Sequence, residues 1–235
     1  ATAAAMTIVE PCSNGLGSDS FAILWDGRQL HGLNASGTAP AAWTREYFVR
    51  KHGEQMPMRG WDSVTVPGAV AGWMALSAKF GKLPFADLLA PAIELAERGY
   101  GVGVVTADKW AKAAPLLQDQ PGWAQAFLPR GRVPAPGERF VFAEAGATLR
   151  KIAATKGEAF YRGEVAAALA AHAKANGGAM TEADLAGYAP EWVTPIAKDF
   201  AGHTVHQIPP NGQGIAGLLA TGLLAKLDTD RFPAD

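Results

Sequence analysis

The sequence predicts a mixed α and β domain. Two observations carry that class. Strand-like runs stand near both ends of the chain, first Phe21 to Trp25 with Gln29 to Leu33, later Trp192 to Ile196 with His203 to Ile208. Between them lie some hundred and fifty residues of mostly helical periodicity, a strands–helices–strands order that belongs to α+β layering.

The elements follow in order. Ala1 to Ile8 reads as the end of a helix without its beginning, lacking an N-cap and the charged start of a signal peptide. Val9 to Asp19 is a Gly-rich loop. The two apolar runs after it are joined over Asp26-Gly27, where Gly supplies the positive φ of a hairpin turn. Leu33 to Pro40 forms a second loop of small polar residues. Ala41 to His52 predicts a short helix on Trp43, Tyr47 and Phe48, ended by Gly53. Val64-Thr65-Val66 predicts a buried strand stopped by Pro67-Gly68. Ala69, Trp73, Leu76 and Phe80 recur at i, i+4, i+7 and i+11, one face of a helix whose small residues Gly68 to Gly72 suggest close packing on a sheet.

Phe85 to Glu97 continues helical, with Pro91 starting a new helix or kinking the old one, and Gly99 closing it. Thr106 to Leu117 is a helix. Gln120 to Gly137 is a Pro- and Gly-rich loop anchored by Trp123, Phe127 and Leu128, a candidate cover over a site. Ala143 to Ala154 and Gly157 to Ala175 are two helices. Thr181-Glu182-Ala183-Asp184 has the form of a capping box. After the last strands, joined over Ala201-Gly202, the loop Pro209 to Gly214 leads into a helix over Ile215 to Leu227. Asp228 to Asp235 is polar and contains proline, and both ends of the chain read as incomplete.

Composition narrows the function classes. The 235 residues are 49% hydrophobic and 18% charged with formal net charge −1, enough for a sizeable core. No basic block points to nucleic acid, and no apolar run approaches the roughly 20 residues of a membrane span. The one cysteine, Cys12, allows no intrachain disulfide and reads as a small packing residue. Cys, His and carboxylate spacing nowhere resembles a metal site, and His203 and His206, three apart on one strand, point to opposite faces. Ser13, Ser18, Ser20 and Ser36 are possible nucleophiles in type, yet none sits in Gly-x-Ser-x-Gly. Spacing alone yields no complete set of nucleophile, base and oxyanion donors.

The residues themselves carry more. Val9-Glu10-Pro11 with Ser13-Asn14-Gly15-Leu16-Gly17 resembles the γ-glutamyltransferase family. So do Ala39-Pro40-Ala41-Ala42, Ser63 to Gly68, Gly81 to Pro84, Leu89 to Gly99, Glu158 to Gly163, Gly177 to Thr181 and Pro209-Pro210-Asn211-Gly212, in the same order from Val9 to Leu227. The resemblance implies an N-terminal-nucleophile hydrolase with a four-layer αββα core, of which this chain is most of the large subunit. It implies a precursor that cleaves itself, exposing an N-terminal Thr as nucleophile with its own α-amino group as base. That Thr is expected downstream, so no catalytic residue is expected here and the portion alone is expected to be inactive. The implied partner is the small subunit of the same precursor; no metal and no organic cofactor is implied. The family has exported and cytoplasmic members, so the compartment stays open.

One departure bears on substrate. True γ-glutamyl enzymes carry an Arg-Glu pair shortly before Ala-Pro, and that Arg grips the substrate α-carboxylate. Here the pair is Ser36-Gly37, and the segment Leu33 to Pro40 is similar to the family branch that includes oxamate amidohydrolase. Asn34, Ser36, Gly37 and Thr38 are expected to line one wall of the pocket, and the loop bearing Asn211, Gly212 and Gln213 to lie at the subunit junction. Arg28, Arg45 and Arg59 are possible replacement cations. The reading is an amidohydrolase acting on a small amide; the alternatives are a true γ-glutamyl transpeptidase or hydrolase with another carboxylate clamp, and a non-catalytic scaffold subunit.

Overall fold

A computed structural model describes residues 1–227, and the polar stretch expected over Asp228–Asp235 lies outside the described residues. The chain opens with helix α1 (Thr2–Val9). Strands β1 (Ser20–Trp25) and β2 (Leu30–Ala35) then pair antiparallel, from Ser20 opposite Ala35 to Trp25 opposite Leu30. Their connection takes four residues rather than a bare Asp-Gly. Asp26 N–H donates to Gln29 O at 3.2 Å, and Asp26 Oδ1 accepts from the N–H groups of Arg28 and Gln29, each at 2.8 Å. These bonds, with a contact to His31, hold the Asp26 carboxyl down at about 2. The other edge of β2 pairs antiparallel with β5 (Glu191–Val193), so β2 is the central strand of three.

Alternation gives this sheet two faces. Ser20, Ala22 and Leu24 are partly covered, while Phe21, Ile23 and Trp25 are exposed. Helix α3 (Ala69–Phe80) packs on the covered side, as its small residues predict. A Cβ at Gly72 would stand 2.3 Å from Ser20 Oγ and 3.0 Å from the Ala35 methyl, so the helix approaches as closely as glycine allows.

The main core lies beyond α3. Helix α4 (Phe85–Arg98) runs through Pro91 without a break and buries Leu89, Ala92, Ile93 and Ala96. It packs against α7 (Ala143–Ala154), which contributes Leu149 and Ile152, and against α1. Each large apolar side chain buried there contributes about 1.5–3 kcal/mol. The helix expected over Gly157 to Ala175 is two, α8 (Glu158–Arg162) and α9 (Glu164–Ala175), because Gly163 takes an extended conformation between them. The box at Thr181 closes as read: its side chain accepts from Asp184 N–H while Asp184 caps Thr181 N–H, starting α10 (Glu182–Ala186).

A second cluster gathers around Trp110 of α5 (Val104–Leu117), with Phe140 4.9 Å away and edge-on. Phe140 belongs to a two-residue ladder between β3 (Tyr100–Gly101) and β4 (Arg139–Phe140). The Gln120 to Gly137 stretch holds a short helix, α6 (Trp123–Phe127), whose Trp123 and Phe127 pack into this cluster; Trp110 Nε1 donates to Phe127 O at 2.9 Å. Trp123 and Phe127 anchor the stretch as read and seat it on α5.

Three further expectations need correction. The helix after Pro40 is α2 (Arg45–His52), starting only where Thr44 Oγ1 accepts from Tyr47 N–H. Val64 to Val66 is extended but forms no ladder: Val66 N–H donates to Thr38 O at 2.9 Å, and Pro67 has no N–H to continue. Trp192 to Ile196 is not one strand. Pro195 interrupts it, leaving β5 in the first sheet and starting β6 (Ile196–Phe200), which pairs with β7 (His203–Gln207) across Ala201-Gly202. Helix α11 (Gly214–Leu224) packs on β6 and β7 and leaves Ile215, Leu219 and Leu223 exposed.

Candidate functional site

The site is built where β2 ends. Asn34 lies directly opposite Phe21 in the β1–β2 register, so both stand on the sheet face away from α3. Period two continues that face to Ser36. Asn34 Oδ1 accepts from Ser36 N–H at 3.0 Å, a side-chain turn that draws the chain out of the strand. Gly37 then takes φ 76°, and a Cβ there would stand 1.8 Å from Val66 O, so no other residue fits without moving the backbone. Gly37 N–H donates to the Tyr188 hydroxyl at 3.3 Å. Thr38 is exposed at the rim and accepts from Val66 N–H.

Behind this turn stand two phenols. Tyr161 Oη donates to Pro67 O at 2.7 Å and accepts from Ala71 N–H at 3.0 Å. Its ring lies 5.8 Å from that of Tyr188. Burial pushes both hydroxyls up, so they stay neutral at ordinary pH. Ser18 O accepts from Gly68 N–H and Ala69 N–H at 3.1 and 2.8 Å, tying the first Gly-rich loop to the start of α3. Burial also raises the carboxyl of neighbouring Asp19.

The second loop comes to the same place. Between β7 and α11, Asn211 reaches across 175 residues of sequence to the end of β2. Asn34 Nδ2 donates to Asn211 Oδ1 at 2.9 Å, Asn211 Nδ2 donates to Ser36 Oγ at 2.8 Å, and Ser36 Oγ stands 3.2 Å from Asn211 Oδ1. Gly212 lies beside Phe21, its would-be Cβ 3.8 Å from the ring, and Gln213 precedes the first turn of α11. Thus Asn34, Ser36 and Asn211 form one cluster, Gly37 and Thr38 frame it, and Gly212 and Gln213 border it. Arg28, Arg45 and Arg59 are all exposed, and among the described residues none bonds to the cluster. The hydrogen-bonded cluster of Asn34, Ser36 and Asn211 is itself polar and uncharged.

Other expectations separate in space. Among the described residues no group of His, Cys, Asp and Glu could hold a metal ion, and none of Ser13, Ser18, Ser20 and Ser36 is hydrogen-bonded to a histidine. One polar cluster was not legible in the sequence. Asp62, 5% exposed, accepts from Tyr47 Oη at 2.7 Å and pairs with Lys51 Nζ and His52 Nε2, each at 2.6 Å; Lys51 also donates to Gly177 O. Burial pushes the Asp62 carboxyl up, but the bonds from Lys51, His52 and Tyr47 prevail and leave it lowered. The i, i+4 spacing of Tyr47 and Lys51 was the available signal; nothing local pointed to Asp62.

The gamma-glutamyltranspeptidase family profile matches residues 1–234. The chain is 37% identical over 231 residues to the glutathione hydrolase-like YwrD proenzyme of Bacillus subtilis (strain 168), covering 97% of this chain and 44% of that protein. It is 34% identical over 236 residues to the oxamate amidohydrolase proenzyme of Klebsiella pneumoniae, again 97% of this chain and 44% of that protein. The cephalosporin acylase of Bacillus halodurans superposes with a TM-score of 0.93 at 45% identity, over 96% of this chain and 44% of that one. The chain thus spans less than half the length of these relatives.

Proposed function

The chain belongs to the gamma-glutamyltranspeptidase family, and we propose that it is the large-subunit portion of a self-processing amidohydrolase that cleaves a small amide. The mixed helix and sheet fold is that of the family's N-terminal-nucleophile hydrolases. The glutathione hydrolase-like and oxamate amidohydrolase relatives are proenzymes, which accords with a precursor cut into two subunits. In this reading the nucleophile is a Thr beyond residue 235, freed as the new N-terminus of the small subunit. Its α-amino group takes the hydroxyl proton, the oxygen attacks the amide carbonyl, the amine leaves with a proton, and water then releases the acid from the acyl-enzyme.

The observation that carries the choice of substrate is the neutral wall. Asn34, Ser36, Gly37 and Thr38 line one side of the pocket where the γ-glutamyl enzymes place an Arg-Glu pair. Hydroxyl and carboxamide groups offer a small acyl group, the carboxylate of oxamate included, neutral hydrogen bonds, but they cannot clamp the α-carboxylate of a γ-glutamyl group bidentately as a guanidinium does. The loop of Asn211, Gly212 and Gln213 lies at the junction with the small subunit, which covers the exposed apolar face of β1 and α11. The glutathione hydrolase-like relative favours a second reading, a γ-glutamyl transpeptidase or hydrolase whose carboxylate clamp comes from outside this chain.

Assay of the full-length, processed protein on oxamate beside γ-glutamyl-p-nitroanilide separates the two. Amidohydrolase activity on oxamate, weakened by Ser36→Ala, is the expected result. Strong turnover of the glutamyl compound, unchanged by Ser36→Ala, sinks the first reading.

A further inference from the structure

The hydrogen-bond directions around Ser36 are fixed by one group with no choice. The Ser36 N–H can only donate, so the Asn34 atom facing it at 3.0 Å is Oδ1. Asn34 therefore turns its Nδ2 toward Asn211, and the Asn211 atom 2.9 Å away is Oδ1. Asn211 must then present Nδ2 to Ser36 Oγ, at 2.8 Å. The amide orientations, usually ambiguous, follow here from a backbone donor. Ser36 Oγ is thereby an acceptor toward Asn211. Its own hydrogen has one long contact, to Asn211 Oδ1 at 3.2 Å, an oxygen that already accepts from Asn34. A substrate oxygen can replace that weak contact.

Among the described residues the Ser36 hydroxyl hydrogen is thereby left to donate to a ligand, and the group that offers it carries no charge. Asn211 comes from a loop 175 residues away, yet it sets the polarity of the wall.

We infer that Asn211 is a specificity-determining residue: by donating to Ser36 Oγ it makes the Ser36 hydroxyl a donor to a carbonyl or carboxyl oxygen of the substrate. This rests on the proposed amidohydrolase function. It moves Asn211 from a junction residue to part of the binding wall. Asn211 acts on substrate capture and not on the bond-breaking step, so its removal raises KM and spares kcat.

The test uses full-length, processed enzyme with oxamate and γ-glutamyl-p-nitroanilide as probes, the better wild-type substrate being carried through. Asn211→Ala, Asn211→Leu, Ser36→Ala and the double variant Ser36→Ala/Asn211→Ala are compared, with Tm measured for each. Asn211→Leu keeps approximate size, adds no charge and cannot donate to Ser36, so it serves if Asn211→Ala lowers Tm. The inference expects KM to rise about three- to tenfold in either Asn211 variant with kcat within about twofold. It also expects Asn211→Ala to change KM less than twofold once Ser36 is alanine, because the two residues act as one unit. Equal effects of Asn211→Ala in both backgrounds, or a fall in kcat at constant KM, overturn the inference while leaving the amidohydrolase reading intact. Absence of turnover of both probes by processed wild-type enzyme overturns that reading, and this inference with it.

Discussion

Gly37 N–H donates to the Tyr188 hydroxyl at 3.3 Å, joining the turn after β2 to the segment that leads into β5. The turn has no slack, since a Cβ at Gly37 would overlap Val66 O. Gly37→Ala is therefore expected to cost at least about 2 kcal/mol through positive φ and backbone displacement together. Tyr188→Phe leaves one N–H unpaired and costs about 1 kcal/mol. Urea unfolding of the full-length protein checks both, and the order Gly37→Ala worse than Tyr188→Phe is the specific expectation.

Asp62 ties α2 to the rest of the chain through Tyr47, Lys51 and His52. Asp62→Ala is expected to cost about 2 kcal/mol by stranding these donors. Because the folded carboxyl lies below its ordinary value, its contribution is full above about pH 4. It is lost as pH falls through the lowered folded value. Stability measured against pH should therefore fall less steeply below about pH 4 in Asp62→Asn than in wild type; identical slopes would show that Asp62 is not held down by its partners.

The hairpin turn makes a second titration prediction. Asp26 is held at about 2, first by Gln29 N–H, then by His31 and Arg28 N–H. Carboxyl carbon shifts followed by NMR should give a midpoint near 2, and a midpoint in the ordinary range would mean that the turn bonds do not persist in solution.

Much of this architecture was legible because its signals are local. Asp26-Gly27, the Thr181–Asp184 capping box, the small face of α3 and the periodicity of α4 and α7 each lie within a few residues. What misled was local too weak a signal against context. Val64 to Val66 looks like a strand by composition, yet Pro67 removes the donor a ladder needs. Pro91 reads as starting a new helix or kinking the old one, and α4 runs through it as one helix that buries Leu89, Ala92, Ile93 and Ala96. The candidate site was half legible. Asn34, Ser36, Gly37 and Thr38 are expectations drawn from the family resemblance, whereas the bonds of Asn211 to Ser36 span 175 residues and leave no periodic trace.

The exposed face makes a prediction of its own. Phe21, Ile23 and Trp25 on β1 and Ile215, Leu219 and Leu223 on α11 are all open to solvent in this chain. In the proposed two-subunit protein the small subunit covers these side chains. Residues 1–235 expressed alone should bind the dye ANS strongly, and the full-length processed protein should not. Equal dye binding by both would mean that no second subunit covers this face.

In the proposed function this chain is one part of a self-cleaving precursor whose nucleophile lies beyond Asp235. Intact mass analysis of the purified full-length protein, with N-terminal sequencing of its products, tests this most directly. Two polypeptides from one precursor are expected, the shorter beginning with Thr and the longer containing residues 1–235. A single uncleaved polypeptide that nonetheless hydrolyses oxamate or γ-glutamyl-p-nitroanilide would contradict it.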